Sequence, residues 1–330
     1  MPTAQLLRMR FCDLPVALED TPVYRLAGTI FQELAQRRLR ARPSIWLSEE
    51  WFNPDGVTGF AIPFYLAHPR LIRLERKMML EAEGAAKWEC LKILRHETGH
   101  AIDEAYQLYK TDEYARTFGS PRQEYPGSYR VQPLSREHVI HLNNWYAQAH
   151  PVEDFAETFA VWLKLGGSKW RTLYRDWPAL DKLRTVDRWM SGWAGRHPIS
   201  NDTRPVEQLS QIDRTLGEHY EEKRSFYGVG APSQYDRELH ELFARPEAHA
   251  DKPSAAGFIR SLRNRVRNEA ARPLGIPAYV ADQILRQLIQ RAKVLQLRHA
   301  RPSAEVAGEL SRFVSQATIG LVRSAPRLPL

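Results

Sequence analysis

Inside a stretch that reads as one helix from about Ala85 to Tyr109 the chain carries His96-Glu97-Thr98-Gly99-His100. Leu91, Leu94, Ile102 and Leu108 fall among its apolar positions, as an amphipathic helix requires. Residues four apart share a helix face, so His96 and His100 project together, each with a ring nitrogen free for one divalent cation, and Glu97 lies beside that face. From residue frequencies, a chance His-Glu-x-x-His run in a chain this long arises on the order of once in a hundred times. The bland alternative is a solvated helix with two surface histidines. Gly99 speaks against it: inside a helix it costs about 1 kcal/mol relative to Ala, which implies that another backbone passes close by.

A second helix is expected from His150-Pro151-Val152-Glu153-Asp154-Phe155-Ala156-Glu157, with Pro151 in its first turn and Gly166-Gly167 as its stop. Glu153 and Glu157 share one face, while Phe155, Phe159 and Trp162 lie on apolar sides. Two carboxylates on a largely apolar helix need partners, which a metal and a metal-bound imidazole supply: one carboxylate ligates and the other fixes a histidine tautomer. The competing reading is acidic residues favoured by the helix dipole. Other candidates for a third ligand fit less well. Asp103 sits about 10 Å further along the first helix and better orients His100 or a neighbouring loop. His150, ahead of a proline, better caps the second helix, and Asp154 is rotated about 100° from Glu153.

With both helices read, the chain resembles the gluzincin metallopeptidases, most closely the bacterial zinc-binding metallopeptidases whose second motif looks like His-Pro-x-Glu-Asp-Phe-Ala-Glu-Thr, here His150 to Thr158. It is more distantly similar to thermolysin and anthrax lethal factor. The resemblance covers roughly residues 60–200. It implies one zinc ion held by His96, His100 and Glu153, with Glu157 supporting a ligand; from that ligand set Glu97 is placed as general base, and Asp103 keeps its supporting place behind His100. A tyrosine seven residues before the ligating glutamate, here Tyr146, is implied to assist catalysis. The substrate implied is a peptide or protein.

The expected fold class is α+β: a zincin-like catalytic domain with a small mixed sheet and the active-site helix, then a mostly helical C-terminal region. Residues 1–200 form that domain, sheet-containing over 1–84 and carrying the metal-binding helices over 85–200. A helical connector follows over 201–250, and a basic helical extension over 251–330. In the first part, residues 7–18 read as a strand, Thr21-Pro22 opens a helix ending near Arg37-Arg38-Leu39-Arg40, and residues 43–48 suggest a second strand. Asn53-Pro54-Asp55-Gly56 is a turn, and Phe60–Leu74 reads as one or two strands, with an edge suited to holding an extended substrate. Thr117–Ser135 is a long loop in which Tyr125 and Tyr129 are candidates to reach a substrate. Residues 170–193 and 205–245 are expected to be helical, with a loop over Ser225–Gln234 and a linker over Pro246–Gly257. Pro277–Ala300 and Pro302–Ser324 read as amphipathic helices.

At 330 residues and 43% hydrophobic content the chain buries a substantial core. Its start lacks the pattern of a signal peptide and no run approaches eighteen apolar residues, so the expectation is a cytoplasmic protein without a transmembrane segment. Cys12 and Cys90 are too few for a disulfide framework. The formal charge of +8 sits in the tail, where residues 251–330 hold fourteen Lys/Arg against five Asp/Glu. That tail suggests weak contact with nucleic acid or an anionic surface, against a default of a solvated face. The rival function is a non-catalytic zinc-binding scaffold whose basic C-terminal helices bind a protein or nucleic-acid partner. A structural site has no need of Glu97.

Overall fold

Thr21 stops the chain from fraying at the first long helix: its Oγ1 accepts the Tyr24 N–H at 3.1 Å, and Pro22 supplies a preset φ at the helix start. The computed structural model describes residues 2–79, 82–226, 234–274, 276, 278–324 and 327–329. It divides into two units, one of Met1–Tyr129 with Arg136–Val229, the other of Arg130–Ser135 with Gly230–Pro329.

The first unit begins with a short helix α1 (Thr3–Leu7) and a 3-10 turn, Phe11–Asp13. The strand expected over residues 7–18 is therefore absent. The alternation of Leu7, Met9 and Phe11 is too brief to hold a ladder. Instead Phe11 is fully buried against Phe64, ring centroids 4.8 Å apart, and its amide donates to Arg214 O. Helix α2 (Pro22–Gln36) leads to strand β1 (Ser44–Ser48), which pairs in parallel with β2 (Gly59–Pro63). Between them the turn at Asn53–Gly56 brings Phe52 back beside Ala61 as an antiparallel bridge. The sheet is thus small and locally mixed, as expected.

Beyond Pro63 the expected strands give way to a 3-10 turn, Phe64–Ala67, and helix α3 (Pro69–Met79). His68-Pro69 was the deciding signal: His68 Nδ1 accepts the Arg70 N–H at 3.1 Å and Pro69 occupies the first helical position, so this pair opens a helix rather than interrupting a strand. The edge proposed for substrate is also closed, because β2 has β1 on one side and Phe52 O accepting the Ala61 N–H at 2.8 Å on the other.

Helix α4 (Lys87–Tyr106) follows, then α5 (Asp112–Phe118), α6 (Pro151–Leu165), α7 (Lys169–Leu173), α8 (Ala179–Trp193) and α9 (Leu216–Phe226). The continuous core runs from Phe60 and Phe64 through Leu94, Ile102 and Tyr106 to Phe155 and Phe159. Helix α4 is clamped from outside by Arg95, whose Nε and Nη2 grip Glu33 of α2 at 2.8 and 2.6 Å. Part-buried bidentate pairs of this kind hold orientation as well as position.

The helix expected over 205–245 is in pieces: a 3-10 turn Leu209–Gln211, then α9, then α10 (Asp236–Leu242) in the second unit. Most of the expected Ser225–Gln234 loop, residues 227–233, lies outside the described residues. The second unit is mostly α-helical, with α11 (Ala255–Ala271), α12 (Ala278–Val294) and α13 (Ser303–Ser324) around Ile259, Val266, Ile284, Leu285, Leu288 and Leu310, and a short strand at Arg327–Pro329. Its buried Asp282 takes Arg263 through two 2.6 Å contacts and Arg286 at 3.0 Å. Part of the basic charge is therefore spent within the unit. No helix among the described residues is long and apolar enough to cross a membrane.

Candidate metal centre

Helices α4 and α6 meet backbone to backbone. A Cβ on Gly99 would stand 2.9 Å from Ala156 Cα and 3.0 Å from Ala156 O, inside any normal contact. This explains the glycine in a helix interior, and it sets the distance between the two side-chain sets that face each other across the contact. His96 Nε2 lies 3.1 Å from His100 Nε2 and 3.0 Å from Glu153 Oε2, and the third side of the triangle, His100 Nε2 to Glu153 Oε2, is 3.3 Å. For ligands about 2.0–2.1 Å from a tetrahedral cation, simple geometry puts neighbouring donors about 3.3 Å apart. Glu153 Oε2 is buried and makes no hydrogen bond. An orphaned carboxylate oxygen facing two imidazole nitrogens is costly unless a cation completes it, so these residues fit zinc. They are the one group of metal-ligating geometry among the described residues.

The tautomer of His96 follows from its other side. Its Nδ1 lies 2.9 Å from Glu157 Oε1, and because a carboxylate accepts, Nδ1 carries the proton and Nε2 presents its lone pair to the cluster. Glu157 is itself held by the Leu142 amide, which donates to Oε2 at 2.8 Å. Burial alone would push the His96 pKa down. The Glu153 and Glu157 carboxylates outweigh it and raise the value, favouring a positive charge at Nε2 that a bound cation would supply in place of a second proton. In Glu157 the same contacts win in the other direction: burial raises the carboxyl, but His96 and His141 bring it below its usual value. Glu157→Ala should therefore weaken zinc binding about 10- to 100-fold, by leaving His96 without its anchor. Competition with a chelator of known affinity measures this, and an unchanged affinity would show that His96 is oriented by something else.

Glu97 is buried beside the two histidines. Burial raises its pKa, with His96 and His100 pulling the other way. Asn53 holds the helix at this residue, its Nδ2 donating to Glu97 O at 3.0 Å and to Gly59 O at 3.2 Å, so the turn after β1 ties β2 to α4 at the site. Tyr146 stacks obliquely on His96, centroids 5.6 Å apart. It follows two residues in the left-handed region, Asn144 (φ 59°) and Trp145 (φ 55°), an uncommon conformation that non-glycine residues hold only where the surroundings enforce it. Asp103, by contrast, turns to the loop: its Oδ1 accepts the Tyr109 N–H at 2.8 Å, and burial lifts its carboxyl to about 7.

His150 does not join the ligands. Its Nδ1 accepts the Val152 N–H at 3.3 Å as the cap of α6, and its Nε2 donates to Gln123 O at 2.8 Å. Asp154 points away to Lys182, 2.6 Å from its ammonium. Of the two loop tyrosines, Tyr129 is buried and donates to Asn144 O at 2.9 Å. Tyr125 has its hydroxyl on the site, donating to Glu153 Oε1 at 2.8 Å. Sequence reasoning singled out this residue only for substrate and missed its bond to a carboxylate of α6. The Leu142 amide and Asn53 were missed outright, since neither residue type nor spacing marks them.

No curated protein and no solved structure matches the chain. Residues 76–176, which hold α4, α6 and every residue of the cluster, match the family model described as "Putative zinc-binding metallo-peptidase".

Proposed function

We propose that the chain is a metallopeptidase that uses one zinc ion, held by His96, His100 and Glu153, to hydrolyse peptide bonds in a peptide or protein substrate. The observation that carries this is the triangle of donor atoms with Glu153 Oε2 orphaned at one corner, and a buried glutamate, Glu97, at its side. The family match over residues 76–176 supports the same reading.

Zinc, when bound, supplies a Lewis acid that polarises a carbonyl and brings the pKa of water toward neutrality. The chain's own residues do the rest. Glu97 accepts a proton from water as its oxygen attacks the carbonyl carbon, and returns that proton to the departing amine nitrogen. Its buried position raises its proton affinity, which suits a group that must take a proton and then give it up near neutral pH. The Tyr146 hydroxyl, on a ring packed against His96, donates to the oxyanion as charge builds on it. Burial also keeps that hydroxyl protonated, pushing its pKa above the ordinary tyrosine value. Glu157 holds His96 in the tautomer that leaves Nε2 free.

The test is zinc content by elemental analysis together with cleavage of a peptide library, with and without a chelator. Stoichiometric zinc and chelator-sensitive cleavage are expected. Zinc without cleavage of any peptide would favour the scaffold reading. The pH profile gives a second check. A carboxylate base acts only when deprotonated, so kcat/KM should climb with pH on an acid limb, which burial moves up and the cation's charge moves down. A profile flat on its acid side would argue against Glu97 as the base.

A further inference from the structure

We infer that Tyr125 is a positioning residue that commits one oxygen of Glu153 and leaves only the other for the cation, an inference that rests on the zinc reading above. The two carboxylate oxygens of Glu153 have different surroundings. Oε1 accepts the Tyr125 hydroxyl at 2.8 Å, while Oε2 faces His96 Nε2 and His100 Nε2 at 3.0 and 3.3 Å. A carboxylate without such a bond can turn both oxygens on a metal and crowd the position that water needs. With Oε1 engaged, Glu153 counts as one donor, and the set of three leaves zinc open.

Tyr125 is held for this work from two sides. Its ring stacks on the His150 imidazole, centroids 4.0 Å apart and planes 15° from parallel. His150 in turn donates through Nε2 to Gln123 O, two residues before Tyr125, and accepts the Val152 N–H at the head of α6. The helix that carries Glu153 therefore also fixes the tyrosine that bonds to it, through a closed circuit of His150, Gln123, Tyr125 and Glu153. Tyr125 is half exposed, which makes its removal gentle on the core.

Full-length Tyr125→Phe keeps the ring on His150 and removes only the hydroxyl. Zinc affinity by chelator competition should fall about 10- to 100-fold, as for other groups that orient a ligand. With cobalt(II) in place of zinc, the visible spectrum should move from a four-coordinate pattern toward a five-coordinate one as Oε1 is freed. In a Glu153→Ala background the same substitution should change neither readout. A Tyr125→Phe protein with wild-type zinc affinity and an unmoved cobalt spectrum overturns the inference while leaving the metallopeptidase reading intact. A wild-type protein that binds no zinc overturns both, so the two failures are distinguishable.

Discussion

Glu97→Gln is expected to lower kcat roughly a hundred- to ten-thousand-fold, the range for loss of a positioned general base, while the protein keeps its zinc. The amide has the shape of the carboxylate and cannot take a proton. It leaves His96, His100 and Glu153 untouched, and it relieves the buried site of a group whose charge burial disfavours. Folding and metal content should therefore be unchanged or slightly improved. Peptide cleavage measured beside elemental analysis of the same preparation separates the outcomes. Hydrolysis at the wild-type rate would remove Glu97 from the mechanism. Loss of zinc along with activity would mean that its carboxylate holds the site together instead.

The second large effect is on stability. Gly99→Val should lower the unfolding free energy by about 3 kcal/mol or more, because overpacking usually costs 1–3 kcal/mol and here the new atoms meet backbone, which cannot swing aside. For a unit of this size that is a fall in melting temperature of roughly 6–12 °C. Gly28 in α2 provides the comparison: nothing lies within 4 Å of a Cβ built there. Gly28→Ala should then gain up to about 1 kcal/mol from helix propensity alone. Thermal unfolding of the two variants tests the contrast, and a Gly99 variant as stable as wild type would mean that α4 and α6 can separate without cost.

Much of the site could be read from residue spacing because helices carry it. Four residues bring side chains to one face whatever the rest of the chain does, so His96 with His100 and Glu153 with Glu157 were placed by local geometry, and Gly99 by its cost. The segments that misled are those where tertiary contact overrides pattern. Leu7, Met9 and Phe11 alternate like a strand, but Phe11 is claimed by Phe64 and by the backbone of Arg214 and forms a 3-10 turn. Phe60–Leu74 has the apolar content of a strand pair, yet His68-Pro69 starts a helix in the middle of it. Tyr125 was visible only as a loop tyrosine. Its partner lies 28 residues away, and the stacking that holds it depends on a histidine whose capping role appears only once α6 is folded.

The close approach at Gly99 and Ala156 also says which parts of this chain can change. The two helices are joined there whatever the length of chain between Tyr106 and Pro151, and lengthening a closed loop costs only about 0.6 kcal/mol for each doubling. Many points in that interval are anchored, among them Tyr125 on Glu153, Leu142 on Glu157, His141 on Lys92 O and Tyr114 against Phe155. Only the exposed stretches between such anchors can grow or shrink at small entropic cost, and change is accommodated there without disturbing His96, His100 and Glu153.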